Sequence, residues 1–121
     1  MSESEEKYLK TVFVLAQNQG EVSSVDIASE LGHSRASVCR AMKILKENGY
    51  IAMEYCGKIN LTQVGFITAK SILDREAIIS EFFHHTLSLN NELSAKYSAH
   101  MARIIDQDTL NKMRLGIMTV V

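Results

Sequence analysis

With 121 residues the chain is the size of one ordinary domain, and apolar side chains at 46% are enough to bury a core. A net charge of −1 excludes a globally basic field, no apolar run approaches the roughly 18 residues that span a bilayer, and the acidic start "MSESEEKYLK" lacks a secretory signal pattern. Cys39 and Cys56 make neither metal-ligand spacing nor a disulfide framework, which fits a reducing cytoplasm.

The first expected helix runs from about residue 3 to 18. Ser2 and Glu5 form a capping box, Leu9, Val12, Phe13 and Ala16 repeat on one face, and Gly20 ends it. Ser23 or Ser24 caps a short helix that turns Ile27, Ala28 and Leu31 inward. Gly32 breaks that helix, Ser34 caps the next one with Val38, Ala41, Met42 and Leu45 inward, and Gly49 closes it. Two short helices around a glycine turn predict a helix-turn-helix.

In "YIAMEYCGKINLT", Tyr50, Ile51, Tyr55, Ile59 and Leu61 suit strands and Cys56-Gly57-Lys58 suits a tight turn, so a wing hairpin follows. Thr62 caps a long helix to about residue 88. Its apolar residues, Phe66, Ile67, Ile72, Leu73, Ile78, Ile79, Phe82 and Phe83, cover more than one face, which predicts a dimer contact. Asn90 or Asn91 starts another helix to about Ile105, and Asp106 caps a last one carrying Leu110 and Met113. The terminal "GIMTVV" needs an apolar surface to pack on. The expected class is mainly α: a winged helix-turn-helix over 1–62, then an α-helical dimerisation region over 63–121.

Residues 34–46 carry Arg35, Arg40, Lys43 and Lys46 with no acid among them, which concentrates positive charge on one helix. The inward set forces Ala36, Arg40, Lys43 and Glu47 outward, flanked by Arg35 and Cys39. The N-terminal part of a recognition helix enters the major groove, so Ser34, Arg35, Ala36, Ser37 and Arg40 are candidates for base edges. Arginine can bond guanine as a fork, and serine can donate or accept. Lys43 and Lys46 suit phosphates, as do Ser23 and Ser24 at a helix start, and Lys58 would reach a phosphate or the minor groove from the wing tip. His33, in the turn, touches a phosphate or nothing. No phosphate loop, nucleophile motif or paired-carboxylate pocket is present, so no enzyme is expected.

"EEKYLKTVFVL", "VDIASELGHSRASVCRAMKILKENGYI" and "INLTQVGFITAKSIL", in this order, resemble the iron- and manganese-dependent repressors, the diphtheria toxin repressor family. The resemblance covers residues 1 to about 89 well and 90–121 more loosely, and is to the short, manganese-regulator type. It implies a cytoplasmic homodimer that binds double-stranded DNA at a palindromic operator. It also implies a metal site, whose ligand positions carried onto this chain are Lys7, Lys10, Glu76, Ala99, Ala102 and Arg103. Alanine has no donor there, and protonated lysine and arginine have no lone pair to give. The expectation is therefore no metal, no cofactor and no metal activation. Either a lysine or Arg103 pairs with Glu76 in place of the ion, or the site has simply decayed. Glu81, His84, His85 and His100 form a conceivable different metal group. A protein-interaction module is an alternative to DNA binding, as is a regulator switched by a small molecule near Phe82 and Phe83.

Overall fold

The computed structural model describes residues 1–54 and 57–119. Two compact units divide the chain, Met1–Lys70 and Ser71–Val121, and the boundary falls inside a long helix.

The first unit begins with α1 (Glu3–Gln19), β1 (Val22–Ser23), α2 (Ser24–Leu31) and α3 (Arg35–Glu47), followed by β2 (Ile51–Met53) and β3 (Lys58–Leu61). Its helix starts are fixed by side chains that satisfy free backbone N–H groups. The Ser2 hydroxyl accepts from Glu5 N at 3.1 Å. Ser23, rather than Ser24, is the cap of α2. Its hydroxyl accepts from Asp26 N, while Asp26 Oδ2 accepts from Ser23 N at 2.9 Å, completing a reciprocal box. Gly32 takes the left-handed conformation (φ 65°) that ends α2, which glycine adopts without a Cβ penalty.

Leu9, Val12, Ile27, Val38, Met42 and Leu45 are fully buried and meet Val22, Ile51 and Ile59 of the sheet in one core. The strand order is β1-β3-β2, antiparallel throughout, with Val22 opposite Ile59 and Ala52 opposite Asn60. The β2–β3 wing stands where the sequence pattern predicts it, whereas β1 is not predicted, because its two residues are too few to show a period. The Tyr55 and Cys56 part of the expected hairpin lies outside the described residues, as do Val120 and Val121.

α4 (Gln63–Leu87) starts at a stitched junction. The Thr62 hydroxyl donates to Gly49 O at 2.6 Å and accepts from Gly65 N at 3.0 Å, while Thr62 N donates to Tyr50 O. Gly65 is buried so closely that a Cβ there would stand 1.9 Å from the Tyr50 carbonyl oxygen, a separation no side chain tolerates. Phe13 of α1 and Phe66 of α4 bring their rings to 5.2 Å.

The second unit holds the rest of α4 with α5 (Asn91–Ile104) and α6 (Gln107–Thr119). Asn90 caps α5 and Asp106 caps α6, through Leu93 N and Thr109 N. Ile79, Ala102 and Leu110 form its small core, with Phe83, Met101, Ile105 and Met113 packed against them. Large apolar side chains remain exposed on this unit, with Ile104 at 84%, Met118 at 68% and Leu115 at 60%.

Candidate nucleic-acid interface

The basic helix is α3, and its amphipathic division is complete. Val38, Ala41, Met42 and Leu45 are buried, whereas Arg35, Ala36, Cys39, Arg40, Lys43 and Glu47 are exposed. The core therefore dictates which side chains face outward.

At the start of α3, three residues spaced by one turn are chained together. The Ser34 hydroxyl caps Ser37 N at 3.1 Å and donates to Ser37 Oγ at 2.9 Å. Arg40 Nη2 donates to that same Ser37 oxygen at 3.3 Å. The guanidinium keeps its other donors for a ligand, and its position along the helix is already set. Arg35, Cys39 and Lys43 follow one another at four-residue spacing on the adjoining ridge. Together these rows present two arginines and a lysine beside two hydroxyls, without a carboxylate between them.

Tyr8 of α1, only 5% exposed, is joined to His33 Nδ1 by a 2.7 Å hydrogen bond, and the rings meet edge-on at 5.5 Å. This ties the first helix to the residue directly before the recognition-helix cap. No local pattern signals this bond, because one partner lies on α1 and the other in the turn between α2 and α3.

The remaining candidates lie at the margins. Ser24 is the first residue of α2 and half-buried, and a Cβ on Gly57 would lie 3.8 Å from its hydroxyl, so α2 starts beside the wing turn. Lys58 opens β3, and its ammonium is 2.8 Å from Glu21, an acid the sequence reading did not single out. That contact, first as a hydrogen bond and then as charge attraction, lowers the Glu21 pKa and raises that of Lys58. Both side chains remain solvated, at 82% and 45% exposed, so the pair is a weak tether that a phosphate can replace. Lys46 reaches back to the Met53 carbonyl at 3.5 Å.

The positions carried over for a metal do not suit one. In the first unit, Lys7 is exposed and Lys10 partly so. In the second, Ala99 and Ala102 bring no donor, Arg103 is a cation, and Glu76 alone offers a carboxylate. The Ala102 carbonyl is already taken by a guanidinium. Arg75 Nε and Nη2 donate to it at 3.2 and 3.1 Å, Nη2 also donates to Ile105 O at 2.5 Å, and Nη1 donates to Gln107 Oε1 at 3.4 Å. A fixed positive charge therefore binds α4 to the last carbonyls of α5, where it complements the negative helix end. Such a neighbourhood disfavours a dication. In the other group considered, His84 Nδ1 donates to Leu89 O at 2.9 Å, and His85 faces Glu81 at 3.8 Å. Among the described residues, no three His, Cys, Asp or Glu side chains are gathered to hold an ion.

The family model for the iron dependent repressor N-terminal DNA binding domain matches residues 1–57. An uncharacterized HTH-type transcriptional regulator of Methanocaldococcus jannaschii is 25% identical over 116 residues, covering 95% of this chain and 93% of that protein. Transcriptional regulator MntR of Escherichia coli is 28% identical over 108 residues, 89% of this chain and 69% of that one. Among solved structures, IdeR of T. acidophilum superposes with a TM-score of 0.81 at 21% identity, and the manganese regulator SloR with 0.82 at 19%. These superpositions cover 96% and 98% of this chain but 55% of each of the two solved chains, and at such identities they show the shared fold alone.

Proposed function

We propose that this chain, whose residues 1–57 match the DNA-binding domain of the iron dependent repressors, is a DNA-binding transcriptional regulator of that kind and acts as a cytoplasmic homodimer on a palindromic operator without metal activation. The observation that carries the DNA reading is α3: an exposed basic face, free of acids from Arg35 to Lys46, whose Arg40 is hydrogen-bonded to Ser37. Ser34, Arg35, Ser37 and Arg40 approach base edges in the major groove, Lys43 and Lys58 neutralise phosphates, and Ser24 hydrogen-bonds to one. Residues 1–62 form the reading domain and residues 63–121 the dimerisation region. Exposed Ile104, Leu115 and Met118 support the dimer, because apolar side chains of that size favour a partner surface over water.

The case against metal activation rests on chemistry. Manganese or iron would need several oxygen or nitrogen donors to replace water, and the family positions supply one carboxylate among cations. The deciding experiment is a genomic DNA pull-down with the purified chain, followed by footprinting in chelator and in added Mn²⁺ or Fe²⁺, with metal content measured. The expected result is one palindromic footprint, equally protected in both conditions. A footprint that appears only with stoichiometric metal would overturn metal independence, and an unprotected genome would overturn the DNA reading itself.

A further inference from the structure

We propose that His33 is an additional contact to DNA phosphate, positioned by Tyr8, and that duplex binding is thereby coupled to proton uptake. The inference rests on the DNA reading above and extends it to a residue outside the basic helix. His33 immediately precedes the cap Ser34 and is half-buried. It lines an open groove of about 480 Å³ with Ser4 and Tyr8 of α1 and with Ser34, Ser37 and Arg40. The groove thus connects the imidazole to the arginine placed for DNA.

The chemistry follows from the inventory of that groove. From α1 it receives a phenol and a serine hydroxyl; from α3 it receives Arg40 and Ser37; α2 meets His33 through the Ala28 carbonyl, which accepts from His33 N at 3.1 Å. Arg40 is the charged neighbour, and no carboxylate lines the groove. An imidazolium in that groove meets no negative side chain among its described lining residues and sits at the positive end of a 13-residue helix. A DNA phosphate would supply the missing charge.

Tyr8 suits this role because a phenol oxygen can donate or accept. It donates to Nδ1 of a neutral ring and accepts from Nδ1–H of a charged one, so the 2.7 Å bond survives either state. In both states Nε2 is the remaining nitrogen and can carry a proton toward a phosphate. Bound DNA favours the charged ring, so by linkage the affinity rises as pH falls through the imidazole range.

Phosphate contacts carry sequence-independent binding, so a mixed-sequence duplex at low salt is an adequate probe. Affinity should rise about fivefold on going from pH 8 to pH 6, as a charge-assisted contact replaces a neutral one. His33→Gln should bind more weakly than the parent at both pH values and lose most of that rise. Tyr8→Phe, with its melting curve recorded as a check on folding, should bind several-fold more weakly at pH 6, because the ring is no longer aimed. Calorimetry in buffers of different ionisation enthalpy should show proton uptake in the parent and not in His33→Gln. A flat pH profile in the parent, or an unchanged rise in His33→Gln, would overturn the coupling while leaving DNA binding intact. No duplex binding at any pH would overturn both readings.

Discussion

Arg40 and Lys43 illustrate how position on one helix separates two tasks. Arg40 is chained through Ser37 to the cap of α3, which suits its guanidinium to the base-edge contact proposed for it. Lys43 is exposed and lies further along the helix, where a flexible ammonium suits a phosphate. Arg35→Ala and Arg40→Ala should each cost about 1–3 kcal/mol on the operator and relax base preference, with the melting temperature unchanged. Lys43→Ala should weaken all duplexes alike and reduce the salt dependence by about one counterion. Affinities on operator and scrambled DNA across a salt series separate these outcomes. Equal losses on both DNAs for the arginines would move them to the phosphates.

At the scale of elements, the wing and α4 meet through a glycine that has no substitute. Gly65→Ala would drive a methyl into the Tyr50 carbonyl, so it should destabilise the first unit by about 3 kcal/mol or more in a denaturant titration. An unchanged midpoint would mean that this junction is free to relax. The helix caps add a pH dependence. Asp26 is held below the usual carboxylate range by its bond to Ser23 N, then by the Ser23 hydroxyl and Gln19. Asp106 is held below it by the Thr109 hydroxyl and then Thr109 N. Groups depressed in the folded state stabilise it above their unfolded pKa, and the benefit is lost as pH falls through the folded value. Thermal midpoints should therefore drop below about pH 4, and Asp26→Asn should shallow that drop. An identical acid limb in the variant would remove the Asp26 cap from the explanation.

What the sequence made legible followed local periods. The four inward residues of α3, the caps Ser2, Ser34, Thr62 and Asp106, and the glycine after α2 all stand where spacing put them. The choice between Ser23 and Ser24 needed the Asp26 carboxylate, which reaches back to Ser23 N. Contacts between distant segments were not legible. β1 exists because Val22 pairs with Ile59, Lys58 is engaged because Glu21 stands beside it, and His33 is oriented because Tyr8 is buried under it. Nothing within a few residues of any of these reveals its partner. The DNA contacts proposed for Ser24, Ser34, Arg35, Ser37, Arg40, Lys43 and Lys58 rest on their places at helix starts, on the α3 face and at the wing, and substitution will decide them.

For the whole molecule, the exposed apolar side chains on the second unit are the main demand for company. Ile104→Asp or Leu115→Asp should convert a dimer to a monomer in sedimentation at micromolar concentration and weaken operator binding, since two half-sites gain from being linked. A parent chain that sediments as a monomer would sink the dimer and, with it, the palindrome.

Arg75 has a consequence of another kind. A joint made by a bound ion measures something, because it is occupied only in proportion to the free ion around it. The guanidinium that closes α4 onto the Ala102 and Ile105 carbonyls is part of the chain and cannot leave. This joint therefore carries no message about its surroundings. Any signal that reaches the chain must arrive elsewhere, or be written in how many copies of it are made.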